Sequence, residues 1–301
     1  MPNKHFCIQP FVNVTTRIKG QNNVCCNINL KDSNISNESP ANFFRSDKVK
    51  DMQTSLLQGK KRKECSLCWY QEKKAGYSQR TEYNNYYNIK KNQSNEYYDR
   101  ILKKLRISKL KNPLYFEFHI SNLCNLKCLT CNERDSSRFH AENKVLGVSE
   151  DKDANYAILD KTKIQALESA ITDDLLFLDI RGGETLMVPE VKKVLLDVDT
   201  QRAKNITLKI QTNGTIVPDK EWTQILKKFK RTKINISIDA FGDHNHYVRY
   251  PADWNKIITT LEYLKEKKIK FLINTVVSNL NIMILDSLFN WIQENNYPNY
   301  F

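Results

Sequence analysis

The part of the chain after Pro113 alternates between apolar, β-branched segments and segments with helical periodicity. The apolar segments lie near 115–120, 175–180, 206–211, 234–239 and 269–277. The helix-like segments lie near 160–173, 188–199, 219–230, 253–267 and 282–294. From the second strand onwards, a new strand begins about every 30 residues. This alternation predicts right-handed βαβ units and an α/β fold with a parallel sheet, either a barrel or a doubly wound sheet.

Three cysteines follow the first of these strands at the spacing C-x3-C-x2-C, namely Cys124, Cys128 and Cys131. Loops at the carboxyl ends of parallel strands carry the active site in such folds. Three thiolates ligate three irons of a four-iron cluster and leave the fourth iron open to a substrate or cofactor. The same spacing also suits a zinc site that His119 or His140 would close. On the cysteines alone, both metal assignments remain open.

Polar residues also stand at the ends of the next four strands. The second strand runs into Arg181-Gly182-Gly183-Glu184, where the glycines allow close approach of the backbone to a ligand and Glu184 adds a carboxylate. The later positions are Thr212 and Asn213, Ser237 and Asp239, and Asn274. Each alone suits a turn or a helix cap. Because all four strands agree, we expect one polar site at the edge that bears the cysteines.

These motifs resemble the radical S-adenosylmethionine (SAM) superfamily, whose signature is this cysteine spacing after the first strand of a partial (β/α)6 barrel. The resemblance implies a catalytic [4Fe-4S] cluster on the three cysteines, with SAM on the open iron. It further implies an enzyme that reductively cleaves SAM to a 5′-deoxyadenosyl radical, which abstracts hydrogen from a substrate. A low-potential electron donor such as flavodoxin or ferredoxin would reduce the cluster of such an enzyme. Thr130 stands where the family usually has an aromatic residue, and this departure concerns a packing contact to the SAM adenine.

The resemblance also assigns roles to the rim residues. Gly182-Gly183-Glu184 looks like the family's GGE element, which receives the SAM amino group, although Thr185 replaces a frequent proline. Ser237 and Asp239 stand where family members contact the SAM ribose or carboxylate. Arg249 lies in HNHYVRYPADW, where related proteins carry an arginine, and an arginine fork suits a carboxylate. The expected SAM-binding residues are Gly182, Gly183, Glu184, Thr212, Asn213, Ser237, Asp239, Arg249 and Asn274.

A second cysteine group lies near the amino terminus. Cys7, Gly20 and Cys25 have the arrangement C-x12-G-x4-C, and Cys65 and Cys68 add a C-x2-C pair. The pattern resembles the twitch module, the shortened relative of the SPASM domain, and it implies an auxiliary [4Fe-4S] cluster on Cys7, Cys25, Cys65 and Cys68. An amino-terminal position is what we associate with twitch-containing proteins of bacteriophages and their hosts. Two alternatives stay open, a zinc site with four cysteine ligands and the adjacent Cys26 as the ligand in place of Cys25.

The motifs predict a twitch-like module over 1–80, a partly helical connector over 81–112 and a radical SAM core over 113–301. No stretch reaches the roughly 18 apolar residues of a membrane helix, and the amino terminus lacks the layout of a secretory signal. We therefore expect a cytoplasmic protein without a membrane partner. The chain ends soon after the fifth helical segment. A complete barrel would continue with a sixth strand, so we expect a core that is truncated at the carboxyl terminus.

The net charge of +13 raises a second class of function, a non-catalytic zinc protein that binds nucleic acid. It rests on the basic runs at 60–63 and 100–111, the second of which has six basic residues and no acid. Lysine-rich composition also explains the charge, and neither run has closely interleaved aromatic residues for base stacking. Nucleic acid is therefore an open but not a favoured partner. No residue is diagnostic of the substrate, which the resemblance leaves as a peptide, a protein or a small molecule.

Overall fold

The computed structural model describes residues 2–28, 38–149 and 159–300. Two compact units make up the chain: Met1–Glu117 with Gln165–Leu176, and Phe118–Ile164 with Phe177–Phe301. The first includes the three cysteine-bearing segments near the amino terminus, and the second includes the C-x3-C-x2-C loop. The finer division at 80 and 112 stays a prediction.

The first unit is mostly helical and contains one short hairpin. Its elements are α1 (Gln9–Val12), β1 (Asn13–Thr16), β2 (Asn22–Asn23), α2 (Pro40–Arg45), α3 (Asp47–Leu57), α4 (Ser66–Ala75), α5 (Gln79–Tyr86) and α6 (Asn95–Lys104), with 3-10 turns at Lys63–Cys65 and Ile107–Lys109. The helices α5 and α6 lie in the segment that the sequence predicts to be partly helical.

A short hairpin surrounds Gly20, with Thr15 paired to Asn23 and Thr16 to Asn22 in antiparallel register. Gly20 has φ of 83°, a left-handed conformation that glycine adopts without steric cost. Near the hairpin, Asn84 accepts a hydrogen bond from Ile8 N (3.0 Å) and donates one to Phe6 O (3.0 Å). These two bonds fix the backbone on both sides of Cys7.

The second unit carries the alternating elements. Two elements are divided between the units, β3 (Tyr115–His119) and α8 (Lys161–Ala170). The other described strands and helices of the second unit are α7 (Arg138–Leu146), β4 (Phe177–Arg181), α9 (Pro189–Asp197), α10 (Thr200–Ala203), β5 (Thr207–Thr212), α11 (Lys220–Lys228), β6 (Arg231–Ser237), α12 (Asp243–Val248), α13 (Trp254–Glu266), β7 (Phe271–Asn274), α14 (Leu285–Glu294) and β8 (Asn299–Tyr300), with 3-10 turns at Thr185–Met187 and Ile282–Ile284.

Strands β3 to β8 lie side by side in chain order. The pairs β4–β5, β5–β6, β6–β7 and β7–β8 are parallel, with Ile210 opposite Ile180 and Ile234. The predicted α/β fold with a parallel sheet is thus confirmed, including all five predicted strands. The expectation that the sixth strand is missing is corrected, because Asn299 and Tyr300 pair with β7 in parallel register.

Side chains explain where several helices start. The carboxylate of Asp219 accepts a hydrogen bond from Trp222 N (2.8 Å) at the start of α11, and Asp253 accepts one from Asn255 N (2.9 Å) at the start of α13. Such caps satisfy backbone donors that have no partner inside the helix. Both helices then bury an apolar stripe that includes Trp222 and Leu226 on α11 and Leu261 on α13. In the part of the chain that is described, no helix is long and apolar enough to span a membrane.

Candidate active site

The two glycines after β4 bring that strand end against the cysteine loop, which we define as residues 121–131. Gly183 N donates to Ser121 O (2.8 Å), and Glu184 N donates to Leu123 O (2.7 Å). A Cβ on Gly183 would lie 2.3 Å from Leu123 O, and one on Gly182 would lie 2.6 Å from Ser121 O. From the sequence, we expected the glycines to make room for a ligand. In the structure, the cysteine loop's own backbone takes the space beside both Cα atoms.

The cysteine loop is also hydrogen-bonded to the segment that follows α12. Lys127 N donates to Tyr250 O (2.5 Å), and Leu129 N donates to Val248 O (2.9 Å). The loop backbone is therefore attached on two sides, to the end of β4 and to the chain around Arg249. These hydrogen bonds fix the backbone on either side of Cys128.

All three loop cysteines are free thiols; Cys124 and Cys128 are buried and Cys131 is half-buried. Burial raises the pKa of Cys124 to about 11. A hydrogen bond with Cys131 and the positive charge of Arg249 lower the pKa of Cys128, against the effect of its burial. The nearby cation thus favours the thiolate form, which is the form that ligates metal.

Glu184 links the ends of β4 and β5 through its side chain, which is fully buried. Its carboxylate accepts hydrogen bonds from Thr212 Oγ1 (2.8 Å), Asn213 N (2.7 Å) and Leu186 N (3.1 Å). Burial raises the pKa of Glu184, and these hydrogen bonds oppose the rise only in part. A buried carboxylate of this kind gains stability from a cationic partner, such as an ammonium group.

Arg249 is half-buried beside Asp239, and its Nη1 donates to Asp239 Oδ2 over 2.6 Å. The two side chains are only 12% and 1% exposed. The other oxygen of Asp239 accepts from Val276 N (2.9 Å). Arg249 Nε and Asn245 Nδ2 are buried donors without a hydrogen-bond partner among the described residues. Buried donors are rarely left unpaired, so these two fit an acceptor that a bound group would supply.

Ser237 and Asn274 were also expected at this site, and each accepts a hydrogen bond there. Ser237 Oγ accepts a hydrogen bond from Gln211 Nε2 (3.4 Å). Asn274 contributes its backbone oxygen, which accepts from Ile238 N (3.2 Å). Both lie at the strand ends, as predicted, on β6 and β7.

Three residues that the sequence analysis did not single out are hydrogen-bonded to this site, namely Asn125, Thr215 and Asn245. Asn213 Nδ2 donates to Asn125 Oδ1 (2.8 Å) and lies 4.0 Å from Cys124 Sγ. Asn125 Nδ2 in turn donates to Thr215 Oγ1 (2.8 Å). Asn245 is the third, since its Oδ1 accepts from Asp239 N (3.0 Å). The available signal was proximity in sequence, because Asn125 follows Cys124 directly and Asn245 lies one helical turn before Arg249.

The loop residues fit an iron-sulfur cluster. Three free thiols, Cys124, Cys128 and Cys131, lie on one loop, and Arg249 supplies a positive charge beside Cys128. Three thiolates and a nearby cation suit an anionic four-iron cluster with one open iron. The zinc site that His119 or His140 would close stays the alternative.

In the first unit, Cys7 and Cys68 are buried, and Cys25 and Cys65 are half-buried. Burial, together with the charges of Cys65 and Cys68, raises the pKa of Cys7 to about 12. Burial and the charge of Cys7 raise the pKa of Cys25. Cys7 and Cys65 therefore each lie near enough to other cysteines of this group to affect their pKa values.

Cys26, the neighbour of Cys25, is engaged elsewhere. Gln79 Nε2 lies 2.9 Å from Cys26 Sγ, and Arg17 donates to the Cys26 backbone oxygen. Cys7 and Cys65 act on the pKa of Cys25. The environments of the two adjacent cysteines thus differ.

A parallel sheet with three free thiols in the loop after one strand is typical of an α/β protein whose functional site lies at the strand ends. The family model described as Radical SAM superfamily matches residues 118–291, which is more than half of the chain. The protein belongs to the radical SAM superfamily and is an enzyme of that type. Its sheet is the partial barrel of this family, which implies a [4Fe-4S] cluster and SAM as cofactors.

Individual proteins resemble the chain more distantly. A probable GTP 3′,8-cyclase of Methanococcus maripaludis is 24% identical over 140 residues, covering 46% of this chain and 41% of the cyclase. The structure of anSMEcpe with bound AdoMet is 22% identical, with a TM-score of 0.46 over 60% of this chain and 50% of that one. Streptococcus suis SuiB bound to S-adenosylmethionine is 18% identical, with a TM-score of 0.46 over 84% and 56%. The chain spans about half the length of these relatives.

Proposed function

We propose that this enzyme cleaves SAM reductively and uses the product to abstract hydrogen from a substrate. The observation that carries the proposal is the set of free thiols Cys124, Cys128 and Cys131, which lie on one loop near a buried carboxylate and a half-buried arginine. When bound, the cluster supplies the electron that splits SAM into methionine and a 5′-deoxyadenosyl radical. The protein's part is to position SAM and to exclude water from it.

Each proposed contact uses a group whose chemistry matches part of SAM. The carboxylate of Glu184, with its raised pKa, suits the SAM ammonium group. The unpartnered Nε of Arg249 suits the SAM carboxylate. Asp239 and Ser237 suit the ribose hydroxyls. The other residues proposed to line this site are Gly182, Gly183, Thr212, Asn213 and Asn274.

Anaerobic reconstitution with iron and sulfide tests the proposal. The reconstituted protein, given SAM and a strong reductant, is expected to form 5′-deoxyadenosine and methionine in equal amounts, measured by liquid chromatography. A protein that holds about four irons or more per chain and still forms no 5′-deoxyadenosine would contradict it. Electron delivery by reduced flavodoxin or ferredoxin in place of the chemical reductant tests the proposed donor.

The amino-terminal cysteines are proposed to hold an auxiliary [4Fe-4S] cluster, as a twitch module does. The support is the electrostatic proximity of Cys7, Cys25, Cys65 and Cys68. Four cysteine ligands are the usual set for such a cluster. Held by the amino-terminal cysteines, the auxiliary cluster would bind the substrate or accept the electron that the substrate radical releases after hydrogen abstraction.

A double variant, Cys65→Ala with Cys68→Ala, is expected to lose about half of the iron and sulfide, since two four-iron clusters hold about eight irons in total. Slow 5′-deoxyadenosine formation is expected to persist, because the catalytic thiols lie on the separate loop at 121–131. Iron and sulfide are measured after reconstitution of both proteins. Equal iron in wild type and variant would show that these cysteines hold no cluster, and tightly bound zinc in the wild type would favour the zinc alternative.

The adjacent cysteines offer a matched pair of single variants. Cys25→Ala is expected to lower the iron content as the double variant does, because Cys25 is the neighbour coupled to Cys7 and Cys65. Cys26→Ala is expected to retain the wild-type content, since the Cys26 thiol is engaged by Gln79. The reverse pattern would assign the ligand to Cys26.

The alternative of a non-catalytic zinc protein bound to nucleic acid is set aside, because the family match defines an enzyme. The net positive charge still raises the question of whether the protein binds nucleic acid. Any affinity for RNA or DNA is expected to be non-specific and to fall steeply with added salt through counterion release. Sequence-selective binding that survives high salt would identify nucleic acid as a substrate of the proposed reaction.

A further inference from the structure

The sheet of the second unit has two chemically different faces. On β5 the residues Leu208 and Ile210 are fully buried, while their neighbours Lys209 and Gln211 are half-buried. Strand β6 repeats the pattern, with Ile234 and Ile236 buried and Lys233 and Asn235 half-buried. Parallel strands are normally apolar on both faces because both are covered by packed elements. One face here is instead polar, which is the property of a surface that contacts solvent or a ligand.

Direct contacts show which residues share the polar face. Asp179 accepts from Arg181 Nη2 (2.8 Å) and pairs with Lys209 Nζ (3.1 Å). On the next strand, Lys233 stands opposite Lys209 in the parallel register. The Gln211 to Ser237 hydrogen bond joins the same face nearer the strand ends.

Among the described residues, β4 to β7 place three cations on this face, Arg181, Lys209 and Lys233, and one acid, Asp179, which pairs with the first two. None of the described residues offers Lys233 an ion pair. Lys209 and Lys233 thus place two positive charges on directly opposed strand positions, and of the two only Lys209 has a carboxylate partner among the described residues.

The cations are also accessible and placed on the side that leads to the cysteine loop. The side chains of Arg181 and Lys209 are each 29% exposed. Arg181 lies two residues farther along its strand than Asp179, roughly 7 Å nearer the strand ends. It directly precedes Gly182, which contacts the cysteine loop. The positive charge thus extends from the level of Lys209 and Lys233 towards the proposed radical site.

We propose that this face binds the anionic end of the substrate, a small molecule with two or more negative charges on one end, such as a diphosphate or a polycarboxylate. Lys209 and Lys233 hold the anion and Arg181 binds the portion nearer the cysteine loop, while Asp179 keeps Arg181 and Lys209 in place. The assignment names the substrate class of the proposed radical reaction and rests on that function.

Calorimetric titration of the anaerobically reconstituted enzyme with sodium pyrophosphate and, separately, sodium citrate at fixed ionic strength tests the assignment. The wild type is expected to bind one of these probes or both, and the double variant Lys209→Met with Lys233→Met is expected to bind about tenfold more weakly or worse, since charge-assisted contacts are lost. Pyrophosphate alone would indicate a phosphorylated substrate, and citrate alone a polycarboxylate. No binding by the wild type would overturn the proposal.

A matched control removes the same charge from an outer surface. Lys220→Met with Lys227→Met changes two exposed lysines of α11 and is expected to bind the probe as the wild type does. An equal loss of probe affinity in both double variants would show that the effect depends only on net charge, and it would contradict the proposed site. The single variant Lys233→Met breaks no ion pair with any residue that the structure describes. It serves if the double variant unfolds, and it is also expected to weaken binding of the probe. Wild type that forms 5′-deoxyadenosine but binds no anion refutes this assignment alone, whereas anion binding without 5′-deoxyadenosine refutes the radical reaction alone.

Discussion

Cys128→Ala is expected to abolish 5′-deoxyadenosine formation and to remove about four irons per chain. Three protein thiolates are the minimum that holds a four-iron cluster with one iron open, so the loss of one leaves two. Cys128 is also the thiol beside Arg249, whose charge lowers its pKa. The measurement combines an iron and sulfide assay with chromatography of the SAM products, and the same result is expected for Cys124→Ala and Cys131→Ala.

Cys26→Ala is the matched control, because it removes a thiol that lies outside both proposed ligand sets. It is expected to form 5′-deoxyadenosine at the wild-type rate. Retained product formation in Cys128→Ala would refute the assignment of the catalytic cluster to this loop. Loss of product in both variants would point to a general effect of cysteine removal on folding, which thermal unfolding of the two proteins distinguishes.

Gly183→Ala is expected to displace the cysteine loop and to remove both iron and SAM binding. The added methyl group would lie 2.3 Å from Leu123 O and 2.8 Å from the carbonyl carbon of Asn122. These are backbone atoms, so the clash is relieved only if the loop moves away from β4. Overpacking of this kind costs roughly 1–3 kcal/mol of stability. Iron content after reconstitution and equilibrium binding of SAM measure the effect, which Gly183→Val should increase.

Gly147→Ala controls for the addition of a methyl group to a glycine. Gly147 ends α7 with φ of 68°, and a Cβ there would meet nothing within 4 Å. The control is expected to lose about 1–2 kcal/mol to its left-handed backbone while keeping wild-type iron and SAM affinity. Full iron and unchanged SAM affinity in Gly183→Ala would show that the close approach of the two backbones is dispensable.

Local pattern was sufficient for the strands and helices of the second unit. The five predicted strands and five predicted helices are present, because hydrophobic periodicity is a property of neighbouring residues. Their ends were less predictable. The strand expected over 269–277 stops at Asn274, since Val276 N bonds to Asp239 instead of a neighbouring strand. The six-residue helix α12 was missed because it is too short to show a period.

Sequence alone determined the order of the βα units, the cysteine loop and its position after the first strand, because each depends on residues that are close in the chain. Only the tertiary structure decided which distant groups meet. It placed Glu184 on Asn213 N, Arg249 on Asp239, and the cysteine loop against Gly183. It also set Lys209 beside Lys233. These contacts follow from strand register and loop path, which depend on packing across the whole sheet and leave no local signal in the sequence.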